Sequence, residues 1–313
     1  MRVNLEQKKY FVSALLRWYH RHGRDLPWRY TSDPYMIFVS EIMLQQTQVD
    51  RVKIKYQEFL RKFPTLQSLA QSRVSDVIRA WQGMGYNRRA LNLQRACRDV
   101  LSKFKGIFPS DRPLLKSLSG IGEYTARAVS VFAFRKPVIA LDVNIRRVLD
   151  RSFFGGETRK QKSTTTEKQK IEELTNLGDS IVTPKIAYDL NQGLMDIGAT
   201  ICTAKTPQCE VCPLKKACKA YPAILSLSWA SIKKKRRLEP AYAGIPRRLW
   251  RGKVVEYLRE MPHSVTSGEI ISWLAKRFHP CSQQWLTEVL TALERDNLVR
   301  KHKGTNAESY RLR

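Results

Sequence analysis

The sequence predicts a mainly helical protein that ends in a small α+β unit of winged-helix outline. Three observations carry that expectation. Apolar side chains recur at helical spacing from Leu5 to about residue 225, short Gly- and Pro-containing turns separate the segments, and convincing strand alternation is absent there. After Cys218 the chain turns basic and broken, then resumes as a new set of short elements.

Residues 5–20 (LEQKKYFVSALLRWYH) form the first expected helix. Val49–Phe63, Val74–Trp81, Arg88–Phe104, Tyr124–Phe134 and Val143–Phe154 repeat its pattern. Between them stand Pro64, Gly83-Met84-Gly85, Gly106, Pro109, Gly120-Ile121-Gly122, Pro137 and Gly155-Gly156. The polar run at 161–170 (QKSTTTEKQK) offers no apolar face and reads as a surface loop. Ser231–Lys253 carries nine Lys or Arg against one acid, Glu239, with Pro240, Gly244 and Pro246 interrupting it, and reads as a linker or arm. Beyond it, Val254–Arg259, Ile270–Phe278 and Gln284–Asp296 read as helices. Leu298–Lys301 and Tyr310–Arg313 read as strands around a Gly304-Thr305-Asn306 turn. The expected organisation is a helical domain over 1–225, a basic linker over 226–248 and a winged-helix-like unit over 249–313. Winged helices often bind DNA, and many serve only as interaction modules.

Composition then narrows the partners. The 313 residues carry a formal net charge of +28 and a pI near 10.1, with 42% hydrophobic residues, enough for a real core. Such an excess of Lys and Arg points to a polyanion, nucleic acid first, with a ribosome-associated or merely basic surface as the alternatives. No apolar leader follows Met1 and no stretch reaches the length of a membrane span, so a monomeric cytoplasmic, nucleoid-associated protein without membrane contact is expected. Cys97 and Cys281 stand alone, which argues against a disulfide framework.

Four other cysteines fall within seventeen residues as Cys202-x6-Cys209-x2-Cys212-x5-Cys218. Structural zinc usually takes two separated knuckles, whereas one knuckle flanked by two outlying cysteines suits a compact cluster held by four thiolates. A zinc knuckle or two disulfides remain the alternatives on spacing alone.

Three further motifs have bland and chemical readings. Leu118-Ser119-Gly120-Ile121-Gly122 joins two helices; glycine turns often do only that, but exposed N–H groups at the next helix start can hold a phosphate. Asp142 follows the apolar run Val138–Leu141 and would cap a helix, a position that also favours its anionic form. Glu41, Gln45 and Gln46 sit on an amphipathic segment where such residues are ordinarily solvated.

Taken together, Leu26–Arg29, Ser40–Val49 (SEIMLQQTQV), the Leu118–Thr125 hairpin with Leu141–Asn144, and Leu190–Cys202 (LNQGLMDIGATIC) running into the cysteines form an ordered set. Over roughly residues 8–222 the chain resembles the MutY-type adenine DNA glycosylases of the endonuclease III, helix–hairpin–helix superfamily. The resemblance implies a two-lobed helix–hairpin–helix glycosylase fold, one lobe of which carries a [4Fe-4S] cluster on Cys202, Cys209, Cys212 and Cys218. It implies that Glu41 protonates N7 of a flipped adenine and then helps activate water. Asp142 would stay charged beneath the oxocarbenium-like sugar, with Asn144 supporting it. Tyr124 stands where strand-cleaving relatives carry a Schiff-base lysine, so no efficient lyase step is expected. Trp28, Arg29, Leu44 and Gln192 match the adenine pocket, Gln46 and Tyr86 the side chains that wedge into the stack, and Gly120 and Gly122 the phosphate clamp. The chemistry agrees: adenine leaves readily only once protonated, and the sugar left behind is cationic.

Two departures stand out. Many family members carry Gly-Leu-Gly-Tyr-Tyr where this chain has Gly83-Met84-Gly85-Tyr86-Asn87, and about ninety residues follow Pro222, too few for the family's large 8-oxoguanine-recognising domain. The tail from Ala241 is instead similar to that of shorter bacterial members. The expected activity is monofunctional hydrolysis of adenine mispaired with 8-oxoguanine or guanine in duplex DNA. The alternatives are a T:G or U:G mismatch glycosylase of the same superfamily and a non-catalytic iron–sulfur DNA-binding regulator.

Overall fold

The computed structural model describes residues 4–158, 166–227, 239–303 and 308–313. Six helices come first: α1 (Leu5–His22), α2 (Pro34–Leu44), α3 (Val49–Lys62), α4 (Leu66–Gln71), α5 (Val74–Ala80) and α6 (Arg88–Phe104). They are followed by α7 (Arg112–Lys116), α8 (Glu123–Phe134), α9 (Val143–Leu149), α10 (Glu167–Ile181) and α11 (Ala187–Thr200). The C-terminal part adds β1 (Ala241–Tyr242), β2 (Ile245–Pro246), α12 (Arg247–Glu260), β3 (Val265–Thr266), α13 (Ser267–Arg277), α14 (Gln283–Arg295), β4 (Val299–Lys303) and β5 (Glu308–Leu312).

Local chemistry sets many of the helix starts. Asn4 caps α1 through the Glu6 N–H, and Ser282 caps α14 through the Trp285 N–H. Reciprocal capping boxes open α4 (Thr65 with Ser68), α10 (Thr166 with Gln169) and α13 (Thr266 with Glu269). The second of these corrects the sequence reading: residues 167–170 are not loop but the first turn of α10, because the polar run supplies its cap and Leu174 and Leu177 supply the buried face beyond it. Residues 161–165 of that expected loop lie outside the described residues. The helix expected over Val143–Phe154 is α only to Leu149 and continues as a wider π-type turn over Asp150–Phe154.

The described residues gather into two compact units, one within Met1–Phe38, Ser110–Ser117 and Ile121–Lys234, the other within Val39–Pro109, Leu118–Gly120 and Lys235–Arg313. In the first, α11 packs on α1 and α9 around Phe11, Leu15, Ile145, Phe153, Leu190 and Leu194, all fully buried. Each such side chain contributes about 1.5–3 kcal/mol by leaving water. In the second, α6 packs on α4 and α5 beneath Phe59 and Trp81, whose rings meet edge-on at 5.7 Å.

The second unit also holds the C-terminal elements. The strand order β3-β5-β4, with Val265 opposite Tyr310 and Lys301 opposite the same Tyr310, gives the helix–strand–helix–helix–strand–strand succession of a winged helix. Packing of α12 and β5 against α5 places residues 249–313 in one unit with 39–109. Of the basic segment 226–248, residues 241–246 form the β1–β2 hairpin, whose Ala243 and Gly244 take positive φ of 51° and 72°, and Arg247 already begins α12. Residues 228–238 lie outside the described residues. Among the described residues no helix is long and apolar enough to cross a membrane.

Candidate functional site

The residues singled out in the sequence divide between the units. Glu41, Leu44, Gln46 and Tyr86 belong to the second; Trp28, Arg29, Tyr124, Asp142, Asn144, Gln192 and the four cysteines belong to the first.

Glu41 lies on α2, which begins in the first unit and ends in the second. Ile37 to Met43 are seven consecutive buried residues, and Glu41 is 5% exposed among them. A helix buried on every side is not the amphipathic surface helix on which a glutamate is ordinarily solvated. Past half-buried Leu44 the chain turns at Gln46, whose φ is +55°, and Tyr86 adopts φ +43° while remaining 55% exposed. Both residues matched to the wedge thus hold left-handed backbone that non-glycine residues seldom adopt.

Arg89 fixes both turns. Its guanidinium donates to the carbonyls of Ile42 (2.9 Å), Met43 (3.0 Å) and Gln45 at the end of α2, and to Met84 (2.8 Å) and Gly85 (3.2 Å) in the Tyr86 turn. The Thr47 hydroxyl accepts a further bond at 3.0 Å. Burial, eased a little by Tyr86, lowers the Arg89 pKa to about 10. On the other side of the turn, Arg259 of α12 donates to Asn87 Oδ1 at 2.8 Å and to the Ile78 carbonyl at 3.0 Å. The hairpin turn is braced within this unit too: Asp99 accepts from the Ser119 N–H (3.0 Å) and hydroxyl (2.7 Å). Gly120, at φ +77°, lies so close to Asn92 that a Cβ would come within 2.6 Å of its Cβ. Gly122, exposed, forms the N-cap of α8 with no side-chain cap, leaving N–H groups at that helix start for an anion.

In the first unit Asp142 caps α9. Oδ1 accepts from the N–H groups of Asn144 (3.0 Å) and Ile145 (2.7 Å), and Oδ2 accepts from Asn144 Nδ2 (2.9 Å). Burial nevertheless outweighs these bonds and the nearby Arg147 charge, so the Asp142 pKa lies above the usual carboxylate value. The cap expected at this helix start is present, and enclosure opposes its effect on the carboxylate. Asn144 Oδ1 in turn accepts from Arg147 (2.9 Å), which also donates to the carbonyls of Gly198 and Cys202, the latter at 2.7 Å. Gly198 is required there, because a Cβ would lie 2.5 Å from the Asn144 Cβ.

Cys202, Cys209, Cys212 and Cys218 line one small cavity of about 20 Å³, bordered by apolar Val148, Ile197, Ile201, Leu214 and Ile224. None of the four is in a disulfide, and burial raises the pKa of the Cys212 thiol to about 12. Among the described residues no set of His, Cys, Asp or Glu closes on a point that could hold a single metal ion. Arg151, itself 1% exposed, brings a guanidinium nitrogen within 3.4 Å of Cys202 Sγ and is tied to Glu157 at 2.9 Å.

Arg29 is held by a buried carboxylate. Its two terminal nitrogens grip fully buried Asp196 at 2.7 and 2.8 Å, and Arg24 adds a 2.7 Å bond to the same carboxylate. Burial opposes ionisation of Asp196, but Arg29 and Arg24 outweigh it and lower its pKa. Trp28 and Gln192 are buried, and Tyr124 is half-buried against the core of this unit.

Arg89, Arg147, Arg151, Asp99 and Asp196 were not singled out in the sequence. Arg147 lies three residues after Asn144 and Arg151 four after Arg147, and that helical spacing was a usable signal. Arg89 gave none, since its acceptors lie more than forty residues away or in an irregular turn.

The sequence profile of HhH-GPD superfamily base excision DNA repair proteins matches residues 39–176. An adenine DNA glycosylase of Mycobacterium tuberculosis is 36% identical over 262 residues, covering 83% of this chain and 82% of its own. This chain belongs to the adenine DNA glycosylase family. Within that family, the enzyme of Buchnera aphidicola is 39% identical over 213 residues, 67% of this chain but 58% of the relative, so the chain spans less than two thirds of that protein's length. Among solved structures, a thermostable thymine-DNA glycosylase is 33% identical with a TM-score of 0.62, covering 69% of this chain and 97% of that one.

Proposed function

We propose that this member of the adenine DNA glycosylase family hydrolyses the N-glycosidic bond of adenine mispaired with 8-oxoguanine or guanine in duplex DNA, without cleaving the strand. The observation that carries the reading is a pair of carboxyls in contrasting surroundings: Glu41 enclosed on an apolar helix, and Asp142 receiving three hydrogen bonds to its two oxygens. Glu41 is the general acid, delivering a proton to the base so that neutral adenine leaves, and then accepts a proton from the attacking water. Asp142 faces the positive charge that develops on the sugar. Its donors hold the carboxylate in place without neutralising it, so the stabilisation needs no reorganisation as the bond breaks. Asn144 orients that carboxylate, and Arg147 orients Asn144. Tyr124 has no amine, so the sugar is released to water rather than captured. Extrusion of the base costs a few kcal/mol, which Tyr86 and Gln46 offset by occupying the vacated stack.

The four thiols fit an iron–sulfur cluster: all four line one cavity, and Arg151 beside Cys202 offsets the anionic charge such a centre carries. Cys202, Cys209, Cys212 and Cys218 would hold it, and when bound it supplies a covalent staple between segments and a redox capacity that hydrolysis does not use. Iron analysis checks this: four irons per chain, lost in Cys212→Ser, is the expected result.

Glu41→Gln tests the catalytic assignment. Single-turnover excision at an A:G mispair should fall by at least about 10²-fold with duplex affinity retained; a variant of undiminished rate removes Glu41 from the mechanism. A second reading, thymine excision, is favoured by the likeness to the thymine-DNA glycosylase structure and differs in the base removed.

A further inference from the structure

The C-terminal elements and the Tyr86 turn share a feature that base excision leaves unused. Residues Gly83–Asn92 on one side and α12 with α14 on the other enclose an open cleft of about 760 Å³, within the second unit. That volume falls in the range of roughly 300–1,000 Å³ typical of ligand clefts. Six Arg or Lys side chains line it against two carboxylates, Glu256 and Asp296. The Arg88 side chain is 68% exposed, that of Arg248 48% and that of Lys253 33%, each in an ion pair at the surface, with Asp296, Glu239 and Glu256 respectively, that a phosphate can replace.

The cleft is built rather than incidental. Its two walls are pinned together by Arg259, which crosses from α12 to Asn87 and to the Ile78 carbonyl. Apolar Leu249, Phe278, Leu293 and Leu298 give it a floor, and exposed Tyr86 stands at its lip. Cations at the rim and aromatic rings within reach are the pairing that binds sugar–phosphate backbone and stacks bases.

We propose that this cleft is a DNA-binding site in which the winged-helix-like unit and the Tyr86 turn together hold a stretch of the nucleic-acid backbone. It rests on the reading of the chain as a DNA enzyme but not on which base is removed. The short C-terminal tail is then an integral part of the DNA-reading surface, attached to the turn that bears the wedge.

The test is equilibrium binding of the full-length protein to an undamaged, fully paired duplex, so that a wrong assignment of the excised base does not affect the outcome. The triple variant Arg88→Ala, Arg248→Ala, Lys253→Ala is compared with wild type and with Lys9→Ala, Arg17→Ala, Arg21→Ala, three exposed cations of α1. At about 0.9 per phosphate contact, the slope of log K against log salt should flatten by at least about 2 in the cleft variant and by less in the α1 variant. A smaller change, or an equal change in both, overturns the proposal. Gly252→Trp guards against misfolding as an explanation: a Cβ there meets nothing within 4 Å, so the ring projects into the cleft without removing any charge. It should weaken duplex binding about tenfold with unchanged unfolding midpoint; undiminished affinity overturns the proposal as surely.

Discussion

Replacing Arg89 with Met removes one guanidinium from six acceptors, of which the Gly85 carbonyl keeps the Trp81 indole N–H and the Gln45 carbonyl keeps the Thr47 hydroxyl. Five are backbone carbonyls at the end of α2 and in the turn before Tyr86, where no regular ladder supplies an alternative N–H. Hydrogen bonds from a charged donor contribute about 1.5–3 kcal/mol each when counted singly. They do not add here, because they share one group and because removing the cation also removes the cost of enclosing it, the cost that lowers its pKa to about 10. A net loss of about 2–4 kcal/mol is expected. Arg89→Lys should recover less than half, since a point charge with three donors cannot replace a planar fork that spans two segments. Urea unfolding of wild type and both variants reads this directly from the midpoints. Excision should slow as well, because the left-handed conformations of Gln46 and Tyr86 lose their common brace. A loss under about 1 kcal/mol in the Met variant, or full recovery by Lys, would refute the claim that this fork organises the site.

Other variants probe the first unit. Asp142→Asn keeps an N-cap side chain and deletes a buried charge; because the folded pKa is raised, Asp142 adds stability at low pH that is lost as pH rises through it. The variant should therefore be no less stable than wild type at pH 7 while single-turnover excision falls about 10²–10³-fold. Asp196→Asn should cost about 3–5 kcal/mol at pH 7 by leaving Arg29 and Arg24 without their carboxylate. Its lowered pKa means that this stability is present above the unfolded value of about 3.9 and lost as pH falls through the folded one, so denaturation midpoints of wild type and variant should converge below about pH 4. Gly198→Ala puts a Cβ 2.5 Å from that of Asn144, so a destabilisation of about 1–3 kcal/mol and slower excision are expected, read from the same two assays.

The fold was legible where sequence periodicity and capping act locally. The apolar spacing of residues 5–20 and 88–104 and the glycine turn at 120–122 correspond to α1, α6 and the turn between α7 and α8. Residues 166–170 of the polar run misled because a capping box is built from the same residues as a loop; only Leu174 and Leu177 beyond it distinguish the two. The site was legible as residue types at motif positions, and illegible in what holds them. Arg89 and Arg147 look like solvent-facing basic residues on amphipathic helices, and their roles depend on carbonyls that folding brings to them. Asp142 shows a balance that no motif encodes: the cap was readable at the helix start, whereas the burial opposing it depends on packing of α9 and α11.

Single-turnover excision on duplexes carrying A:8-oxoguanine, A:G, T:G and U:G, each with and without alkali, tests the central claim most directly. Strand breaks at the adenine position that appear only after alkali, fastest opposite 8-oxoguanine, are the predicted result. Release of thymine or uracil with adenine untouched would contradict it, and breakage without alkali would contradict the monofunctional role given to Tyr124.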